Sequence, residues 1–134
     1  MTKTTSRPII VRDERSLNAA VMESTRVARS AGLSKVAGQQ VATVTSELAR
    51  NILKYAGHGH IRLEVLERAG RSGVRVIAMD RGPGIEDVEQ AMADHFSTGG
   101  TLGLGLSGAR RMMDELTITS EPGNGTRVEA TKWE

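Results

Sequence analysis

Glu47 and Asn51 stand at i and i+4 in the stretch Ser46-Glu47-Leu48-Ala49-Arg50-Asn51-Ile52-Leu53-Lys54-Tyr55. On a helix their side chains lie one above the other on the same face. At about 100° per residue, Val41, Val44, Leu48, Ile52 and Tyr55 gather into an apolar stripe with Glu47 and Asn51 on its flank. A polar pair on that border can point into a cleft beside the core. Downstream, Asp80-Arg81-Gly82-Pro83-Gly84 follows an apolar run. There an aspartate can accept a hydrogen bond from an exocyclic amine, and Gly82 and Gly84 let the backbone approach a flat ring. Gly99-Gly100-Thr101-Leu102-Gly103-Leu104-Gly105-Leu106 is a glycine-rich loop running into a helical pattern, which aims backbone N–H groups and the positive helix end at phosphate. It lacks the Gly-Lys-Ser/Thr of a P-loop and does not follow a first strand as a dinucleotide fingerprint does. Lys54, one turn beyond Asn51, reaches toward the same phosphates. Taken singly, these are also what a surface helix, a tight turn and a flexible loop carry.

The elements that must position them can be read from periodicity. Residues 8–11 form a short apolar strand with Pro8 at its start. Asp13 caps a helix in which Leu17, Ala20, Val21, Ser24, Val27, Ala28 and Ala31 keep the 3.6-residue period up to Gly32. Ser34 caps a second helix, ending at Ala56-Gly57, that carries Glu47 and Asn51. Residues 60–67 alternate as a half-buried strand, 69–73 are turn material, and 74–79 form an apolar partner strand. A short helical piece is expected over about 85–93 and a mobile loop over 94–102. From Gly103 the spacing is helical again, with Leu106, Ala109, Met113 and Leu116 on one face. Residues 117–120 and 126–132 form a second hairpin through Glu121-Pro122-Gly123-Asn124-Gly125. Two tight hairpins disfavour a parallel βαβαβ sheet. The expected fold is α+β, a two-layer sandwich with a mixed, mostly antiparallel sheet and helices on one face.

Composition narrows the function classes. The chain has 134 residues, enough for a single domain over 1–134, a formal charge of +2 and no cysteine, so disulfides and thiolate metal sites are excluded. Its only aromatics are Tyr55, Phe96 and Trp133, and no dense basic run accompanies them, which argues against nucleic acid. His58, His60 and His95 show no metal-ligand spacing, and Ser97 and Thr98 have no assigned base. The polar residues 1–7 lack the apolar run of a signal peptide, and no stretch is long enough to span a bilayer; a cytoplasmic location is expected.

The order of the motifs is more telling than any one of them: Glu…Asn on a helix, Asp-x-Gly-x-Gly after a strand, Gly-x-Gly at a helix start, then Gly-x-Gly-Thr between strands. In that order they resemble the Bergerat ATP-binding fold of the GHKL superfamily, which includes gyrase, heat-shock chaperone ATPases and histidine kinases. Within it, Ser46-Glu47-Leu48-Ala49-Arg50-Asn51-Ile52, Tyr55-Ala56-Gly57, Gly82-Pro83-Gly84-Ile85, Phe96-Ser97-Thr98, Met113-Asp114-Glu115 and Lys132-Trp133 look most like the RsbT-type switch kinases of bacterial stressosomes, relatives of the RsbW and SpoIIAB anti-sigma factors.

The resemblance implies a role for each matching residue. Asn51 would coordinate the Mg²⁺ bridging the ATP phosphates, and Asp80 would hydrogen-bond the adenine amine. Gly82 and Gly84 would shape the adenine pocket, with Thr126 supporting that end. Gly100, Gly103 and Gly105 would supply phosphate amides from a lid spanning about 94–102. Its glycines are spaced differently from the usual Ser-Gly-Gly-Leu-Gly. Lys54 matches a lysine often found here in histidine kinases, and Glu47 would be the catalytic base. The activity implied by similarity is that of an ATP- and Mg²⁺-dependent protein serine/threonine kinase. It would phosphorylate a STAS-domain protein in a stress-signalling partner switch and then bind and activate a metal-dependent protein phosphatase. The alternative is an anti-sigma factor kinase that sequesters a sigma factor and phosphorylates its antagonist. A histidine kinase would need a dimerising helix pair with a phospho-accepting histidine upstream.

Overall fold

The structure, a computed structural model, describes residues 2–82 and 105–134. The elements run in the order β1 (Thr2–Thr5), β2 (Ile9–Val11), α1 (Glu14–Ser30), α2 (Lys35–Tyr55), β3 (Gly59–Arg68), β4 (Arg71–Asp80), α3 (Gly105–Met112), β5 (Glu115–Glu121) and β6 (Gly125–Trp133). The expected helical piece over 85–93 and the loop over 94–102 lie outside the described residues.

The helices start where short polar side chains meet free backbone donors. Asp13 Oδ1 accepts from Ser16 N at 2.8 Å, while Ser16 Oγ accepts from Asp13 N at 3.1 Å, a reciprocal box with serine in the place usually held by glutamate. Ser34 Oγ accepts from Ala37 N at 3.1 Å to open α2. At the other end of α2, Gly57 turns the chain at φ +83° and donates to Ile52 O. The helix α3 ends earlier than its apolar spacing suggests. Met113 still donates to Ala109 O, but Asp114 N already donates to Thr131 O and Leu116 lies in β5. Lys132 Nζ caps the departing helix at Met112 O, 2.9 Å away.

One sheet runs β1-β3-β4-β6-β5, with β2 also on β3, and every pairing among the described strands is antiparallel. The first hairpin is tighter than the composition of 69–73 suggests. Arg68 pairs with Arg71 and only Ala69-Gly70 turn, at φ 52° and 80°, the left-handed pair that matches strand twist. The polar N-terminus, which carries no apolar signal, contributes a threonine-rich edge strand. Between β1 and β2, Ser6 N donates to Leu63 O and Leu63 N donates to Ser6 Oγ, so the edge of β3 stays satisfied where the chain steps from one strand to the next.

Alternation sends Ile61 and Leu63 of β3, Val74, Val76 and Ala78 of β4, and Val128 and Ala130 of β6 to one face. The helices α1, α2 and α3 cover that face. Leu17, Ala20 and Val27 from α1, Val41, Val44, Leu48 and Ile52 from α2, and Leu106 and Ala109 from α3 close the core. Among the described residues no aromatic ring enters it, so small and branched aliphatics set the interlayer distance. The opposite sheet face mixes polar residues with the buried Leu66 and Ile77, and Glu64 is only 4% exposed there. It pairs with Arg75 at 3.2 Å; Thr5 donates to its second oxygen, and Arg75 also reaches Thr131 Oγ1. A carboxylate this buried needs that whole set of donors.

On this face His60 is half-buried near Arg62, Arg127 and Arg81. Burial first, and then these cations, hold its imidazole below the ordinary value of 6.5. The folded chain therefore binds fewer protons than the unfolded chain, and stability is lost as pH falls through and below 6.5. Urea titrations between pH 7.5 and 5 should show this decline, and His60→Gln should flatten it. The depressed carboxylates Asp13 and Glu23 act only at lower pH, below about their ordinary 3.8 and 4.5.

Candidate nucleotide site

Across the gap between α2 and the ends of β4 and β6 lies a cleft walled by Leu48, Ile52, Ala78, Leu106 and Val128 and carrying the polar groups of Asn51, Asp80 and Thr126. Tyr55, 40% exposed, stands at its mouth. Helix α2 delivers Asn51 because positions 48, 51, 52 and 55 share a face. The sheet delivers the other two because Asp80 pairs directly with Thr126 in the β4–β6 register. Thr126 is fixed in turn by Ser120 on β5, their hydroxyls 3.0 Å apart.

Asp80 is held by its surroundings. Its Oδ1 accepts from Gly82 N at 2.9 Å, and its Oδ2 has no partner among the described residues. That leaves one carboxylate oxygen as an acceptor for the cleft, with apolar walls beside it. Three glycines crowd this residue. A β-carbon on Gly59 would meet Met79 O at 2.4 Å and Asp80 Cβ at 3.1 Å. One on Gly82 would meet Ala56 Cβ at 2.6 Å, and one on Gly125 would meet Asp80 O at 2.1 Å. Glycine at 82 is thus required by the packing of the strand end against the end of α2, a reason additional to any ring approach.

Of the residues singled out in the sequence, the structure brings Asn51, Asp80 and Thr126 into one cleft and places Gly82 against its floor. Gly105 opens α3, next to Leu106 in the cleft wall. Glu47 sits one turn before Asn51, half-buried, without a hydrogen-bond partner among the described residues and outside the cleft lining. Lys54 also lies outside the lining, its Nζ 5.3 Å from the Tyr55 ring centre. Gly84, Gly100 and Gly103 lie outside the described residues. The apolar walls Ala78, Leu106 and Val128 and the supporting Ser120 carry no site signal in the sequence, since their spacing is that of ordinary core; only the packing of α3 and the strand register reveal them.

The cleft thus combines a carboxylate oxygen without a partner among the described residues, apolar walls and a carboxamide. Among the described residues there is no cluster of three or more acidic or histidine side chains that could hold a metal.

Residues 37–133 match the family described as histidine kinase-, DNA gyrase B-, and HSP90-like ATPase, and the chain belongs to it. Its fold resembles those of solved histidine kinases. A mycobacterial sensor histidine kinase, MprB, superposes with a TM-score of 0.57 at 14% identity, covering 95% of this chain and 96% of that one. The catalytic domain of histidine kinase ThkA does so at 0.52 and 18%, covering 98% and 95%. Within the family, the chain is 47% identical to the serine/threonine-protein kinase RsbT of Bacillus subtilis (strain 168), over 80% of each. It is 34% identical to an anti-sigma F factor of Thermoanaerobacter sp. (strain X514), over 69% of this chain and 68% of that one.

The crowding around Asp80 gives a paired prediction. Gly125→Ala adds a clash to a φ of +87° and should cost on the order of 3 kcal/mol in urea unfolding. Gly123→Ala, at φ +84° but with open space around it, should cost only about 1 kcal/mol. Equal losses would show that the Asp80 contact is not what constrains Gly125.

Proposed function

We propose that this chain is an ATP- and Mg²⁺-dependent serine/threonine kinase that phosphorylates a STAS-domain protein in a bacterial partner switch and afterwards binds and activates a metal-dependent phosphatase. The observation that carries the reading is Asn51 on α2 facing Asp80 and Thr126 across one apolar cleft. The chain's family and its 47% identity to a serine/threonine-protein kinase support ATP use and enzyme class. In this reading bound Mg-ATP supplies the transferable phosphoryl group and a cation that offsets its charge. Asp80 Oδ2 accepts from the exocyclic amine and fixes the base. Asn51 offers its carboxamide oxygen to the cation, and the amides at Gly100, Gly103 and Gly105 steady the phosphates. Glu47, a turn away and lacking a competing partner among the described residues, accepts the proton of the attacking serine or threonine hydroxyl. Lys54 serves the phosphate end from the rim.

Three substitutions separate these roles. Glu47→Ala should lower phosphotransfer to a STAS protein by about 10²-fold or more with ATP affinity little changed. Asn51→Ala should weaken Mg-ATP binding and transfer together. Asp80→Asn should weaken ATP binding by about tenfold or more, since one acceptor becomes a donor. Isothermal titration and labelled γ-phosphate transfer measure each, and an Asn51→Ala protein with undiminished affinity and transfer would remove the metal assignment.

The identity to anti-sigma F factors supports a second reading, a kinase that also sequesters a sigma factor. Co-purification with a sigma factor, and none with a STAS scaffold, would favour it.

A further inference from the structure

A second cavity, of about 450 Å³, lies between the C-terminal half of α1 and the N-terminal half of α2. Thr25 and Arg29 line it from α1, and Lys35, Gly38, Gln39 and Ala42 from α2, with Leu33 of the connecting turn beneath. Small residues sit where the helices approach: a β-carbon on Gly38 would lie 3.7 Å from Ala28 Cβ, and Ala42 follows one turn on. From Gly38 to Asn51 is thirteen helical residues, about 20 Å along α2, so the groove is separate from the nucleotide cleft.

Its chemistry is consistent along its length. The floor is apolar, and among the described residues no acidic side chain lines it. Arg29 and Lys35 are exposed and, among the described residues, the side chain of neither is in a hydrogen bond or ion pair, whereas neighbouring Arg26 is bound to Glu23. The amide of Ser34 at the start of α2 is already taken by Glu134 Oε2 at 2.6 Å, which leaves recognition of an anion to the two side chains. Met22, 73% exposed, continues the Thr25–Arg29 face one turn back, and Val36, 66% exposed, stands one turn from Gln39. Met22 and Val36 are two of the four large hydrophobics exposed on the described surface, and in sequence they flank residues that line the groove.

We propose that the groove is a docking site for an amphipathic acidic helix of a protein partner, whose apolar side chains lie on Leu33 and Ala42 between Met22 and Val36 and whose carboxylates meet Arg29 and Lys35. A helix in a groove is read through anchors one turn apart, and its charge sets on-rate and partner choice. This site stands whether or not the nucleotide cleft performs phosphotransfer.

The test uses the full ¹⁵N-labelled chain and an 18-residue helical peptide with leucine along one face and glutamate elsewhere. Amide shifts should concentrate at Thr25, Arg29, Lys35, Gln39 and Ala42. The double substitution R29E/K35E should weaken binding at least tenfold. Ala42→Leu, which keeps both cations but fills the floor, should weaken it similarly, while both variants keep the parent's ATP affinity and thermal melt. Shifts scattered elsewhere, equal binding by the charge-reversed chain, or equal binding of a lysine-for-glutamate peptide would overturn the proposal. So would co-sedimentation with phosphatidylcholine–phosphatidylglycerol vesicles, lost in R29E/K35E, in a chain that ignores the peptide; the groove would then face a membrane. Failure of the parent to bind ATP would count against the kinase reading and leave the peptide result to judge the groove.

Discussion

Asp80 occupies a position where three separate stretches of chain come too close for side chains. Gly59 lies across from it on β3, Gly125 presses on its carbonyl from the start of β6, and Gly82 folds back to place an amide on its carboxylate. A β-carbon would meet Met79 O at 2.4 Å on Gly59, Ala56 Cβ at 2.6 Å on Gly82 and Asp80 O at 2.1 Å on Gly125. The central strand, the second hairpin and the end of α2 thereby meet closely at Asp80, the residue proposed above to hold the base. Chemistry of this kind depends on an acceptor that does not reorganise when ligand arrives, and here the backbone supplies the rigidity.

Much of this architecture is visible in the sequence because its signals are local. The caps at Asp13 and Ser34, the 3.6-residue spacing of Leu17 through Ala28, and the alternation of Ile61, Leu63 and Val65 each depend on a few neighbouring residues. What eluded them involves partners far apart in the chain. The strand Thr2–Thr5 has no apolar alternation and is placed by its pairing with β3. The end of α3 is set by Asp114 bonding to Thr131 on β6, against an apolar pattern that would continue to Leu116.

The candidate site divides the same way. Asn51 and Asp80 stand out by type and by the glycines near them. Their meeting with Thr126 depends on a strand register, and the walls at Ala78 and Val128 are indistinguishable from core until that register is known. Lys54 and Glu47 show the converse: residues prominent in the motif that do not line the cleft. Their proposed work begins only when a phosphate or a substrate hydroxyl is near.

The divided edge at β3 has a consequence for how the molecule meets copies of itself. A long straight border strand offers a continuous row of free donors and acceptors, a template for another chain to add to. Here that border is shared by a four-residue and a three-residue strand, broken between them by Ser6 folding inward and by Pro8, which has no donor. An incoming strand would find two short registers that do not continue into each other. Sheet extension, the first step toward fibrils, is obstructed at this border by a kink in the chain rather than by charge.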